Sequence, residues 1–351
     1  MRWRAAVVAL AAAAALIPLP PSAIERVYSG GIYPVWQPLM TAASNATTKS
    51  VFDLLIVGVL AMWLVVAAAD IAKRRWRAIA PTAVRTVVWC AVAYLAFLAS
   101  WGLNYRRVPL ADKLAFERSR VSADSARALA TTAVAQVNGL YRAAHAEGFP
   151  ADGVVDPRLA SAFDRAQREL GAARTAVAGR PKHSWLDPYF RRAVVDGMTD
   201  PFFLETLTSS DLLPFERTFV IAHEWAHLAG YANEGEANFV GWITCLRGDE
   251  GQQYSGWLFL YGEVAATLTR RERADVSQRL ADGPRADLAA SAERVARNVS
   301  PRVADAGWRV YNQYLKANRV EAGTRSYSEV VQLILGTRYR ADAMRLVGPS
   351  G

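Results

Sequence analysis

A chain of 351 residues is long enough for two folded units, and 52% of it is hydrophobic, more than a purely soluble protein of ordinary composition carries. The formal net charge of +9 does not mark a nucleic-acid binder, because +6 of it falls on residues 1–105 beside long apolar runs and no nucleic-acid motif accompanies it. Two cysteines, Cys90 in an apolar run and Cys245 far along the chain, make no disulfide framework.

The basic start Met1-Arg2-Trp3-Arg4 leads into an Ala-rich run from Ala5 to Ile17, the pattern of a signal peptide. Cleavage after Ala23 would put Pro21 where a small residue belongs, so an uncleaved helix over roughly 5–22 is favoured. Sixteen uninterrupted apolar residues lie between Asp53 and Asp70, and Thr86 to Leu103 is a second run of spanning length with Trp89 and Trp101 near its ends. Spans are therefore expected at about 51–72 and 86–104. Asp53 and Asp70 sit near the ends of their span, where they can reach the interface, and do not mark an ion pathway. The loop Lys73-Arg74-Arg75-Trp76-Arg77 belongs on the cytoplasmic side. With the N-terminus also inside, three spans place everything after Tyr105 outside, and residues 22–50 become an external loop near the membrane surface. The expected division is a membrane anchor over 1–105 and an extracytoplasmic domain over 106–351.

In that domain a Ser-Ala-Asp-Ser cluster caps a helix over 122–146, and Asp156-Pro157 opens another that runs to about Leu170. His145 on the first of these reads as a packed or exposed residue, not a ligand. From Pro181 the chain turns to aromatic, Pro and β-branched residues, so 192–195 and 202–207 are expected as strands with a turn at Gly197, forming a cleft wall. Beyond residue 245, helical spacing covers 254–268, a charged helical hairpin broken at Gly283-Pro284 covers 270–298, and two amphipathic helices at 308–317 and 326–335 close the chain.

The chemistry lies in Phe215 to Cys245. His223-Glu224-Trp225-Ala226-His227 puts two imidazoles four residues apart on one helix face, where both reach one metal ion. The pattern is short enough to recur by chance; its context carries it. The apolar spacing of Phe215, Phe219, Ala222 and Ala226 is helical, and Gly230 ends the helix three residues after His227. A catalytic zinc needs a third protein ligand, and Glu234-Gly235-Glu236-Ala237-Asn238 offers two carboxylates just past the turn. On a helix starting near Asn233, Glu234 and Glu236 point about 200° apart, so one alone faces the metal. Asn238 would lie behind Glu234, placed to hydrogen-bond a ligand. Glu224, beside the first histidine, is the candidate general base. Tyr231, His183 and Tyr189 are candidates for stabilising an oxyanion.

Trp101-Gly-Leu-Asn-Tyr-Arg-Arg107, Asp200-Pro-Phe-Phe-Leu-Glu205, the core from His223 to Phe239, and Tyr314-Leu-Lys-Ala-Asn318 with Gly323 and Ser326-Tyr327 together resemble a bacterial membrane-anchored family, domain of unknown function 3810. The resemblance implies N-terminal spans joined to an HExxH zinc-metallopeptidase domain. More distantly, Glu-x-x-Ala-Asn is similar to the Glu-x-x-Ala-Asp of membrane gluzincins, which implies that Glu234 is the third ligand, with Asn238 in place of the Asp behind it. The expected fold is mainly α: transmembrane helices, then a zincin-like α+β domain with a small sheet and a helical C-terminal part. The expected function is a multi-pass peptidase of the bacterial cytoplasmic membrane, with Zn2+ on His223, His227 and Glu234, Glu224 as base, and the catalytic domain facing the periplasm or exterior. Its partners would be peptide or protein substrates and the lipid bilayer, with no nucleic acid. The rival is a catalytically silent zinc-binding membrane sensor or structural protein, for which Glu224 would have no use. An intramembrane protease is disfavoured, since no twenty-residue apolar run includes the motif.

Overall fold

Pro18 and Pro20 stop the first helix, because proline offers no amide to a helix interior and biases the residue before it to extended backbone. In the computed structural model, which describes residues 2–74, 79–318, 329–337, 339–340 and 345–346, α1 covers Arg2–Leu16 and the chain then bends by 115° into a second helical stretch. That stretch comprises α2 (Pro21–Ile24), a π-helical run (Glu25–Ile32) and α3 (Tyr33–Asn45). The expected external loop at 22–50 is therefore helical for most of its length. The sequence hides this because the helix is inverted. Its buried stripe is polar or aromatic (Tyr33, Gln37, Thr41, Ser44), while Ile32, Val35, Trp36 and Leu39 are exposed.

The long apolar helices α4 (Val51–Arg74) and α5 (Ile79–Ser100) follow. Two helices, Val51–Lys73 and Ile79–Ser100, are long and apolar enough to cross a membrane, and a third span arises if the bent pair counts as one. The third expected span thus starts earlier than residue 86 and ends at Ser100. Asp70 meets Arg85 at 3.0 Å across the pair, and Asp53 at the other end accepts hydrogen bonds from the Ser184 hydroxyl and the Trp185 amide. Residues 75–77 of the basic loop lie outside the described residues, as does the connection at 319–328 with Gly323, Ser326 and Tyr327.

Residues 1–105 pack against the later part of the chain. Tyr33 donates to the Leu228 carbonyl at 2.8 Å, Gln37 exchanges two hydrogen bonds with Val177, and Thr41 donates to the Leu204 carbonyl. Ile24, Tyr28, Phe97, Leu98 and Trp101 belong to the same buried apolar cluster as the centre of the later domain.

That domain is helical around a small sheet: α6 (Leu110–Lys113), α7 (Ala123–Glu147), α8 (Pro157–Glu169), α9 (Asp187–Ala193), α10 (Pro214–Leu228), α11 (Glu234–Leu246), α12 (Glu250–Thr267), α13 (Arg270–Ser277), α14 (Asp282–Asn298), α15 (Pro301–Ala317) and α16 (Glu329–Gly336). Ser122 and Asp156 cap α7 and α8, with Pro157 in the first turn of α8. All of α11 is buried, its polar residues included, and Trp225, Trp242 and Trp257 are buried in the same core. His145 is structural, its ring packed on Tyr141 and bonded to Asp287 at 2.9 Å.

The sheet departs from the expected strands. Its order is β1 (Pro181–Lys182), β3 (Thr206–Thr208), β2 (Gly197–Thr199), with β3 parallel to β1 and antiparallel to β2. Residues 192–193 end α9, which Val194 closes in the left-handed region at φ 58°, and Gly197 opens a strand instead of making a turn. Asp200 explains 202–205: its carboxylate accepts from the Phe202 and Phe203 amides and curls the chain before β3. The hairpin break also moves, to 278–281, because Gly283 and Pro284 fall in the first turn of α14, where proline costs no hydrogen bond. A second sheet pairs β4 (Tyr339–Arg340) with β5 (Arg345–Leu346).

Candidate metal centre

Proline at the first position and Glu216, whose carboxylate accepts from the Leu213 amide at 2.9 Å, start α10. Its apolar side packs into the core and its other side presents His223 and His227. Gly230, at φ 82°, takes the left-handed conformation that stops the helix, and Tyr231 returns its amide to the Ala226 carbonyl. Asn233 then caps α11 by accepting from the Glu236 amide, so Glu234 becomes the first helical residue and faces back toward α10.

The result is a three-residue cluster. His223 Nε2 and His227 Nε2 lie 3.1 Å apart, and Glu234 Oε2 lies 3.3 Å from the first and 3.6 Å from the second. Tetrahedral donors about 2.0–2.1 Å from a zinc ion stand about 3.3 Å from one another, so this spacing fits such an ion. The His227 Nδ1 atom lies 2.7 Å from the Tyr231 carbonyl, which can only accept. That keeps a proton on Nδ1, so Nε2, turned toward the cluster, is the nitrogen that would hold a metal ion on giving up its own proton. Behind Glu234, the Tyr311 hydroxyl donates to Oε1, leaving Oε2 to the histidines. Among the described residues these three are the group able to hold a metal ion.

Electrostatics couple the three. Burial opposes charge on His227, but the Glu234 carboxylate outweighs it and pushes the imidazole up to about 9. Burial likewise opposes charge on Glu234, yet His227 and hydrogen bonds from both histidines hold it well below the usual carboxylate range. Glu236 points elsewhere: its Oε1 accepts from the Leu110 amide at the start of α6.

Glu224 is buried beside the cluster, and burial pushes its carboxyl up. The Thr199 hydroxyl in β2 lies 2.9 Å from both Glu224 Oε2 and the Glu224 carbonyl and fixes the side chain. Gly197 in the same strand is required sterically, since a Cβ there would stand 2.5 Å from Glu224 Oε1. All four residues line a cavity of about 720 Å³ whose other walls include β2, Trp101 and Tyr311.

Other expected residues fall differently. Tyr189 lines the cavity, but Tyr231 is buried under the Arg107 guanidinium and His183 is held between the Thr208 carbonyl and Asp152, both away from it. Asn238 also lines the cavity, and among the described residues no hydrogen bond joins it to the cluster; Tyr311 occupies the supporting position instead. Thr199 and Tyr311 carry no signal in sequence, since nothing in a short strand or an amphipathic helix marks a residue that folding brings to a distant carboxylate.

Residues 28–335 match the family described as Protein of unknown function (DUF3810). The chain belongs to this family. The match spans both membrane-length helices, the sheet, α10, α11 and the helix that brings Tyr311. No curated protein and no solved structure matches the chain.

Proposed function

We propose that this protein is a membrane-anchored, zinc-dependent metallopeptidase with a zincin-like domain, acting on peptide bonds of envelope or extracellular polypeptides. The observation that supports it most is the meeting of His223, His227 and Glu234 with an independently held Glu224 on the floor of one cavity. Two imidazoles and one carboxylate suit zinc, whereas calcium and magnesium take oxygen donors, and three protein ligands leave a position open for chemistry. Zinc bound there supplies Lewis acidity for the carbonyl and for an attacking water. Glu224 takes the proton of that water and delivers it to the leaving amine, its orientation set by Thr199. The raised affinity of the buried carboxyl for a proton suits this role. Strand β2 lies at the outer edge of its sheet along the cavity, so its free backbone can pair with an extended peptide. The basic loop at Lys73 to Arg77 favours a catalytic domain on the periplasmic or outer face of a bacterial cytoplasmic membrane.

The competing carboxylates supply the test. Glu234→Ala is expected to lose zinc and Glu236→Ala to keep most of it, with metal content measured on both purified variants. The opposite ranking refutes the ligand set.

A further inference from the structure

The walls of the cavity are continuous with the ends of the apolar helices. Trp101 follows Ser100, the last residue of α5, without a gap. Its indole donates to the His227 carbonyl at 2.9 Å, its ring stands edge-on to the His227 ring at 6.1 Å, and it lines the cavity. Helix α4 begins on the same side. The Val51 and Phe52 amides at its start donate to Glu205, which pairs with Lys182 of β1, and Asp53 is held by Ser184 and Trp185, so the α4 start is anchored in the sheet whose outer strand β2 walls the cavity. Phe52 stacks on Phe202, one residue from the cavity-lining Pro201. Helix α1 packs on α5, and its Ala14 joins the buried apolar cluster that includes Phe97, Leu98 and Trp101.

A third feature comes from the stretch 21–45. It runs at 115° to α1, its polar stripe holds the domain, and its Tyr33 hydroxyl is bonded to the last turn of α10. The opposite face exposes Val27, Ile32, Val35, Trp36 and Leu39. The stretch touches the end of α5, where the Tyr28 hydroxyl donates to the Ala99 carbonyl, and Trp185, 66% exposed, stands at the α4 start, the level at which membrane proteins place tryptophan.

Building on the peptidase reading above, we propose that the site works at the bilayer surface, on polypeptide segments that a hydrophobic anchor holds there. The occupant of the exposed face of 21–45 is the bilayer, since this apolar face belongs to a stretch that is bonded to the end of one helix of membrane-spanning length and leads by a short connection into the other. No residue separates the membrane-length helix from Trp101, whose side chain touches His227. An extended chain advances about 3.3–3.6 Å per residue, so the bond reaching the cluster lies within a few residues of the hydrocarbon boundary. The substrate class is therefore the juxtamembrane stretch of a membrane-spanning or lipid-attached polypeptide, not a freely diffusing peptide.

The test uses the full chain with zinc in proteoliposomes. One cleavable sequence is joined to an acyl chain or to a synthetic transmembrane helix through a short spacer of about five residues or a long one of about twenty, and is also offered free. Cuts within about six residues of either anchor are expected, with kcat/KM at least tenfold above that of the long-spacer and free forms, more than the dilution of effective concentration by the spacer alone. Equal cutting of free and anchored peptide, or cut sites indifferent to the spacer, overturns the proposal. A nitroxide on Met198→Cys in a Cys90→Ala background reports cavity depth without any need for activity. A label at headgroup level is expected, and one well out in the aqueous phase overturns the proposal. A label at the surface with no peptide cut in any form puts the failure in the peptidase reading instead.

Discussion

Lys182 and Glu205 form an ion pair with both side chains fully buried, 2.5 Å apart, where the sheet meets the start of α4. Glu205 has further donors in the Val51 and Phe52 amides and the Ser50 hydroxyl, whereas among the described residues Lys182 has only the Ser44 carbonyl besides it. Removing one partner of a buried pair leaves an uncompensated charge and costs about 3–5 kcal/mol. The two single substitutions should differ, because the stranded groups differ. Glu205→Ala leaves an ammonium with one acceptor and strips two helix amides of theirs, placing it at the upper end, about 5 kcal/mol. Lys182→Met leaves a carboxylate with three donors and should cost about 3 kcal/mol or less. The double variant Lys182→Met/Glu205→Leu strands no charge and should be more stable than Glu205→Ala. Denaturant unfolding of the detergent-solubilised protein measures all three. If Lys182→Met costs as much as Glu205→Ala, or the double variant is the least stable, the pair does not tie the apolar helices to the sheet as described.

Asp200, buried and bonded to two amides, is pushed up to about 7 from an ordinary 3.8 by burial. The folded state then binds more protons than the unfolded state between those values, so this carboxyl removes stability as pH rises through them, at up to about 1.4 kcal/mol per pH unit. Asp200→Asn should flatten that loss, gaining relative to the parent at pH 8 over pH 5; a constant difference between the two would contradict it. Tyr311→Phe removes the donor on Glu234 Oε1 and should weaken zinc binding about 10- to 100-fold in a chelator competition, with unchanged affinity as the refuting result. An extracytoplasmic reporter fused near Gly351 should be active, and a silent one would reverse the topology.

Much of the site was legible because it is local. Positions four apart in His223 and His227, the Gly230 stop and the Asn233 cap are set by helix geometry, and the opposed directions of Glu234 and Glu236 follow from it. What sequence hid is long-range or inverted. Tyr311 reaches Glu234 from 77 residues away, and Thr199 reaches Glu224 from 25. The helix at 33–45 buries Gln37 and Thr41 and exposes Leu39, the reverse of a soluble pattern, so it read as loop. Strand assignments failed at 192–195 and 202–205 because local caps, Val194 at positive φ and the Asp200 turn, outweighed β-branched composition.

The central claim rests on Glu224 acting at a zinc held by its neighbours. The full-length protein, purified in detergent, is predicted to carry close to one zinc per chain and to hydrolyse a peptide library. Glu224→Gln should retain the zinc while turnover falls by several orders of magnitude. A chain without zinc, or a Glu224→Gln variant that cleaves as fast as the parent, would contradict the account.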